Sequence, residues 1–179
     1  MLPIALRRYL QHYLEPQLPQ PPADTQSWAH SLVVPLYRES PTLLHHWQRL
    51  GEHHARVLVI AVLNRPANDN DSAVNNAMRR AIGELPARPG AGQNDPIRRL
   101  SPTADLLLYD HEKLRGTTPR NQGVGLARKA GCDIALQWIT EGRIASPWIC
   151  SSDADAVLPD DYFQRLPEAG GRLSDDAPV

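Results

Sequence analysis

Arg56-Val57-Leu58-Val59-Ile60-Ala61-Val62-Leu63 is an unbroken apolar run behind a single arginine. It is too short for a membrane helix, which needs about 20 apolar residues. It is too continuous for a sheet with one wet face, where apolar and polar residues alternate. What fits is a strand covered on both sides, inside a parallel sheet. Ser31-Leu32-Val33-Val34-Pro35 upstream and Ala104 to Tyr109 (ADLLLY) and Pro147 to Ser152 downstream read the same way. Helical patterns lie between them. Ser40 is placed to cap a helix with Pro41 in its first turn, and Leu43, Leu44, Trp47 and Leu50 form its inner face. After a polar loop, Asn64 to Asp71, a helix capped by Asp69 or Asp71 runs to about Leu85 on Val74, Met78 and Ile82. A third starts near Gly123, carries Val124, Ala127, Ile134, Ala135 and Trp138 inward, and is stopped by Gly142. Pro86 to Thr103 and Asp110 to Gln122 read as loops, and a further helix is expected to start in Val157 to Phe163. The order predicts a three-layer α/β fold, Rossmann-like, with a mostly parallel sheet in strand order 3-2-1-4. The topological switch point then falls between the first and fourth strands, where open sheets of this kind bind ligands.

Composition narrows the function. With 179 residues the chain is long enough for one domain with a core, expected over residues 27–166. Residues 1–26 read as a short amphipathic helix on Ile4, Leu6, Tyr9, Leu10, Tyr13 and Leu14, followed by a linker with Pro19, Pro21 and Pro22. Residues 167–179 read as a flexible tail. A net charge of −1 lacks the basic face of a nucleic-acid binder. Cys132 and Cys150 sit in apolar surroundings, as buried thiols do. No secretory signal or transmembrane segment is visible, so a cytoplasmic location is the default.

Trp148-Ile149-Cys150-Ser151-Ser152-Asp153-Ala154-Asp155-Ala156 holds the chemistry. A strand points residues i and i+2 to one side, so Asp153 and Asp155 are expected to converge beyond its end. Two carboxylates there suit a hard divalent cation whose other ligands are phosphates and water. The bland alternative is a solvated acidic turn.

Three segments together carry a resemblance. SLVVPLYRES (residues 31–40), Gly123-Val124-Gly125-Leu126-Ala127-Arg128-Lys129-Ala130-Gly131 and Asp153-Ala154-Asp155 resemble, in order and spacing, the motifs of family 2 glycosyltransferases with the GT-A fold. The resemblance spans about Ser31 to Phe163. It implies an enzyme that takes a sugar from a nucleotide-sugar donor to an acceptor hydroxyl, the acceptor being a saccharide or a lipid-linked saccharide. Asp155 would ligate Mn²⁺ or Mg²⁺, and Asp153 would help position the metal and contact the ribose. Pro35, Tyr37 and Glu39 would line the nucleoside pocket. Asn64 stands where the family usually has a base-reading Asp, and Arg128 would approach the pyrophosphate.

The chain departs from that pattern in three places. Arg38 replaces a common Asn, and Asn64 replaces the Asp. The family's acceptor half, with its acidic general base, would follow the fourth strand, yet only Gln164 to Val179 remain beyond Phe163. No base is identifiable. The expectation is the donor-binding half of an enzyme, a silent nucleotide-binding or assembly module, or a chain completed by a partner or a second copy. A sheet cut after four strands is also expected to be marginally stable or self-associating. Two other motifs fail on context. Gly123-x-Gly125 does not sit between the first strand and its helix, as a dinucleotide fingerprint must. His45, His46, His53 and His54 lack the i, i+4 pairing of a zinc protease and read as solvated helix residues.

Overall fold

The computed structural model describes residues 2–23, 27–50, 56–91, 95–159 and 161–166. The expected tail 167–179, His53, His54 and Asp160 lie outside them. A five-stranded sheet is built from β1 (His30–Leu36), β2 (Val57–Leu63), β3 (Ile97–Ser101), β4 (Ala104–Asp110) and β5 (Ile149–Ser151), in the order β3-β4-β2-β1-β5. The four expected strands are β1, β2, β4 and β5, and their order is the one expected. β2 runs parallel to β1 and β4 in continuous register, Val57 opposite His30 and Ala104, Leu63 opposite Leu36 and Asp110. All seven of its residues are buried.

The continuous apolar runs reflect cover on both faces, with each strand's alternation dividing its side chains between them. Leu32, Val34, Leu36, Val59, Ala61 and Leu63 pack with Leu43, Leu44 and Trp47, and with Met78 and Ile82. Trp47 and Leu44 belong to α2 (Leu44–Arg49), and Met78 and Ile82 to α3 (Asn76–Gly83). Val33, Leu58, Ile60 and Val62 face the other way, onto Ala127, Ala130, Ile134, Ala135 and Trp138. Those five belong to α5 (Gly123–Thr140). Helices on both sides of one sheet make three layers.

Local signals place the ends. Ser40 Oγ accepts the Thr42 N–H (3.3 Å), capping a 3-10 turn, Pro41–Leu43, that leads into α2. Gly142, at φ +73°, follows the end of α5. Gly131 lies against the sheet, where a Cβ would stand 2.4 Å from Val33 Cγ1 and 3.0 Å from Val62 Cγ2. This closeness sets how near α5 comes to β1 and β2.

The amphipathic helix near the start is α1 (Ile4–His12), which has no fully buried residue. Polar bonds hold it. Asp133, buried on α5, accepts the Tyr9 hydroxyl (2.8 Å), the Glu15 N–H (2.9 Å) and Lys129 Nζ (2.7 Å). Trp138 Nε1 then donates to the Pro19 carbonyl (3.0 Å), fixing the Pro-rich stretch along α5.

Four expectations change. Pro86 to Thr103 is not all loop, because Ile97 to Ser101 pair antiparallel with β4 as the edge strand β3. The helix expected from Asp69 or Asp71 begins only at Asn76; Asp71 Oδ1 caps a turn instead, accepting the Ala73 N–H (2.9 Å). Asp110 to Gln122 contains a short helix, α4 (His111–Arg115), capped by Asp110 Oδ1 on the Lys113 N–H (3.1 Å). Residues 161–165 form turns where a helix is expected, with Phe163 buried against His30 at 5.1 Å between rings. Cys150 is buried and Cys132 half-buried, both as free thiols. No described helix is long and apolar enough to cross a membrane.

Candidate functional site

The C-terminal ends of β1, β2 and β5 bring the sequence-predicted residues to one edge of the sheet. β1 has neighbours on both sides, β2 and β5, so the segments leaving β1 and β5 flank the switch point. β5 ends at Ser151, so strand geometry no longer fixes residues 153–155. The outward-inward alternation nevertheless continues there. Ala154 is buried in the core, and Asp153 and Asp155 on either side of it are exposed.

The two aspartates meet different neighbours. Asp153 Oδ1 accepts Arg128 Nη2 at 2.6 Å, while Arg128 Nε donates to Ser151 Oγ at 3.1 Å. Arg128 is on α5, one turn before the close-packed Gly131, and so reaches the end of β5 from the opposite layer. Asp155 is electrostatically coupled to the half-buried Glu39. Burial first, and then the charge of Asp155, push the Glu39 carboxyl up from its ordinary value. A carboxylate raised by a neighbouring negative charge is relieved by a cation. Oxygen ligands of this kind suit Mg²⁺ or Mn²⁺. Among the described residues no three His, Cys, Asp or Glu side chains are grouped to hold a metal by themselves. A cation held at Asp153 and Asp155 would have to take most of its ligands from bound phosphate and water, as Mg²⁺ usually does.

The other sequence-predicted residues sit apart from that pair. Pro35 is buried inside β1, opposite Val62. Tyr37 is half-buried and donates its hydroxyl to Asp69 Oδ2 (2.8 Å). Arg38, at φ +60°, donates Nε to the Tyr37 oxygen (2.9 Å) and Nη2 to Asp69 Oδ1 (3.0 Å). Its backbone N–H is held by Asn75 Oδ1 (3.2 Å), which secures a conformation that non-glycine residues rarely take. Asn64 is buried, donates its backbone N–H to the Leu36 carbonyl (3.0 Å), and keeps Oδ1 without a hydrogen-bond partner among the described residues.

Around them lies a charged network that the sequence reading misses. Glu112 accepts Arg65 Nε and Arg79 Nη2, both at 2.6 Å, and Arg79 Nε also binds Asp110 at 2.7 Å. Asn75 Nδ2 links the Asn64 carbonyl (2.9 Å) to Glu112 (3.2 Å), and Arg65 also donates to the Asp69 carbonyl. Burial pushes Glu112 up, but the hydrogen bonds from Arg65, Arg79 and Asn75 outweigh it and hold the carboxyl low. The network ties the end of β2 to the end of β4 and to α3. The signal for it is the charged and amide residues that follow each apolar run at once: Asn64-Arg65 after β2, Asp110 and Glu112 after β4.

Asp69 gives a test of this network. The Asp71 N–H (2.9 Å), the Tyr37 hydroxyl and Arg38 hold its carboxyl at about 2, below the ordinary 3.8. The unfolded chain takes up that proton at higher pH than the folded protein does. The stabilisation is therefore complete above about pH 4 and is lost as pH falls toward 2. Asp69→Asn is expected to be less stable than wild type in urea at pH 7 and to match it near pH 2. An equal gap at both values would remove the charge of Asp69 from the account.

Beside Asp153, a cleft of about 80 Å³ opens between α2 and the segment after β5. Leu32, Val34, Trp47 and Phe163 are among its apolar walls, and His46, Arg49, Ser152 and Asp153 are its polar ones. It has room for a small group and not for a whole nucleotide sugar, since sites for drug-sized ligands span about 300–1,000 Å³. A larger ligand must lie across the open edge, where Asp155 and Arg128 stand. Comparison with family models, with curated proteins and with solved structures returns no match.

Proposed function

We propose that this chain is a metal-dependent glycosyltransferase, or its donor-binding half, of the family 2, GT-A type. The observation that carries the reading is the gathering of Asp153, Asp155, Glu39 and Arg128 at the switch-point edge of a parallel sheet in the order expected for such a fold.

Asp155, with Asp153, would hold Mn²⁺ or Mg²⁺ against the diphosphate of a nucleotide-sugar donor. The bound cation supplies Lewis-acid stabilisation of the departing diphosphate. Arg128 exchanges its bond to Asp153 for a forked contact with phosphate, a geometry that suits a guanidinium. Asp153 is then free for the cation and the ribose. Tyr37, Glu39 and Asn64 border the nucleoside, held in shape by the network around Asp69 and Glu112. Transfer consists of attack by an acceptor hydroxyl, saccharide or lipid-linked, at the anomeric carbon, with loss of the nucleoside diphosphate. A cytoplasmic location goes with this reading.

The test is binding and turnover of a panel of UDP-, GDP- and dTDP-sugars with and without Mn²⁺. The expected result is cation-dependent binding of at least one donor and release of its nucleoside diphosphate, with Asp155→Ala abolishing the cation-dependent part. Arg128→Ala is expected to act in opposite directions, strengthening Mn²⁺ binding in the absence of donor and weakening donor binding. Unchanged donor affinity on Asp155→Ala would overturn the metal assignment. Tight binding with no release, even with acceptors added, would favour the silent module.

A further inference from the structure

The carboxylates gathered at the sheet edge all have other work. Asp153, paired with Arg128 in the free protein, passes to the cation and the ribose when donor binds, and Glu39 stands against Asp155. An acceptor hydroxyl still needs a group to take its proton as it attacks. The cleft beside Asp153 supplies one. Among the described residues its ionisable side chains are His46, Arg49 and Asp153. A guanidinium stays protonated and accepts nothing, and Asp153 is engaged. An imidazole, the side chain suited to exchanging a proton near neutral pH, is what remains. His46 is on α2 and lines the cleft, whereas its neighbour His45 is turned to Gln48 (Nδ1 to Oε1, 3.3 Å).

We infer that His46 is the general base of the reaction, taking the proton of the acceptor hydroxyl that enters this cleft. The inference rests on the glycosyl-transfer reading above. In the step, the acceptor O–H bond breaks and its proton passes to the His46 imidazole. The oxygen's electron pair forms the new bond to the anomeric carbon. The bond from that carbon to the donor phosphate breaks, and the nucleoside diphosphate leaves with the pair. Trp47 and Phe163 form apolar walls beside the attacking oxygen.

The experiment uses the full chain with Mn²⁺ and the donor that binds best in the sugar-nucleotide panel, with water and simple saccharides as acceptors. His46→Ala is expected to leave donor affinity within about twofold and to lower release of nucleoside diphosphate by 100-fold or more, the usual scale for a general base. Added imidazole is expected to restore part of that rate in His46→Ala and to do nothing for wild type or for Asp155→Ala. His46 is exposed, so the variant should fold; an unchanged melting temperature verifies this. Wild-type turnover in His46→Ala, or a loss that imidazole does not repair, would overturn the base assignment and leave the donor site standing. Donor binding without any turnover by the wild-type chain would do the same. Absence of donor binding would remove both readings together.

Discussion

Asp105→Ala is expected to lose about 3–5 kcal/mol of stability, the range for removing one partner of a buried ionic group. Asp105 lies in β4 and is wholly inaccessible to solvent. Its carboxylate accepts three donors: Trp28 Nε1 (2.9 Å), Arg56 Nη2 (2.5 Å) and Arg99 Nε (3.0 Å). These donors come from the segment before β1, the residue before β2, and β3. One carboxylate therefore closes the N-terminal side of the sheet across several strands. Alanine leaves the buried indole N–H and two guanidinium groups without their acceptor, and an unmade buried bond costs more than a made one contributes. Arg56 and Arg99 keep 31% and 22% side-chain exposure, so water can reach part of that charge and the effect belongs at the lower end. Urea unfolding reads it as a lower midpoint at unchanged slope. Asp105→Asn, which keeps an acceptor for Trp28, is expected to lose less. A change under 1 kcal/mol for alanine would mean that the carboxylate only offsets its own burial.

The second large effect is expected at Gly131. Alanine is the better helix former by about 1 kcal/mol, yet Gly131→Ala is expected to destabilise. The new methyl would stand 2.4 Å from Val33 Cγ1, so α5 must move off the sheet or Val33 must change rotamer. Overpacking of this kind costs about 1–3 kcal/mol. Val33→Ala opens the space, so the double variant is expected to be more stable than the sum of the two single changes predicts. The same substitution tests how the site is aimed, because α5 also carries Arg128. A shift of the helix would lengthen the contacts of Arg128 with Ser151 and Asp153. Additive losses in the double variant would show that the helix does not rest on Val33.

These effects bear on what is legible in the chain. A strand covered on both faces writes its burial as a continuous run, so β1, β2 and β4 can be read from Ser31–Pro35, Arg56–Leu63 and Ala104–Tyr109 without any contact information. β3 is the opposite case. In Ile97-Arg98-Arg99-Leu100-Ser101 only two side chains are buried, and one of the two arginines between them, Arg99, is used by Asp105, six residues on. An edge strand stabilised by a tertiary ion pair has no local pattern to announce it. The late start of α3 has a similar cause. The turns before it are set by the side chains of Asp69 and Asp71, and Asn75 is taken up by bonds to Asn64, Glu112 and Arg38.

The candidate site divides along the same line. Asp153 and Asp155 are recognisable because they follow an apolar run and precede a loop. That Arg128 reaches Asp153 depends on how close α5 lies to the sheet, which only the glycine at 131 hints at. Tyr37 and Asn64 stand at the expected edge, but the bond of the Tyr37 hydroxyl to Asp69 and that of the Asn64 carbonyl to Asn75 come from residues outside their local pattern. His45 and His46 are exposed on α2, as their reading as solvated helix residues expects, but nothing nearby in the chain shows that a segment more than a hundred residues later lines a cleft with His46.

β5 is three residues long and hydrogen-bonds along β1 alone, whereas β2 is clasped on both sides over its whole length. Resistance to local opening follows such ties. The molecule thus mounts its acidic loop on its shortest strand, and Tyr37 and Asn64 at the ends of the long, fully paired strands β1 and β2. A ligand that bridges the two edges does mechanical work mainly on the loose side. Under the proposed nucleotide-sugar reading, affinity and residence time would be set by how far that strand must be drawn in, and discrimination among bases by the part that does not yield.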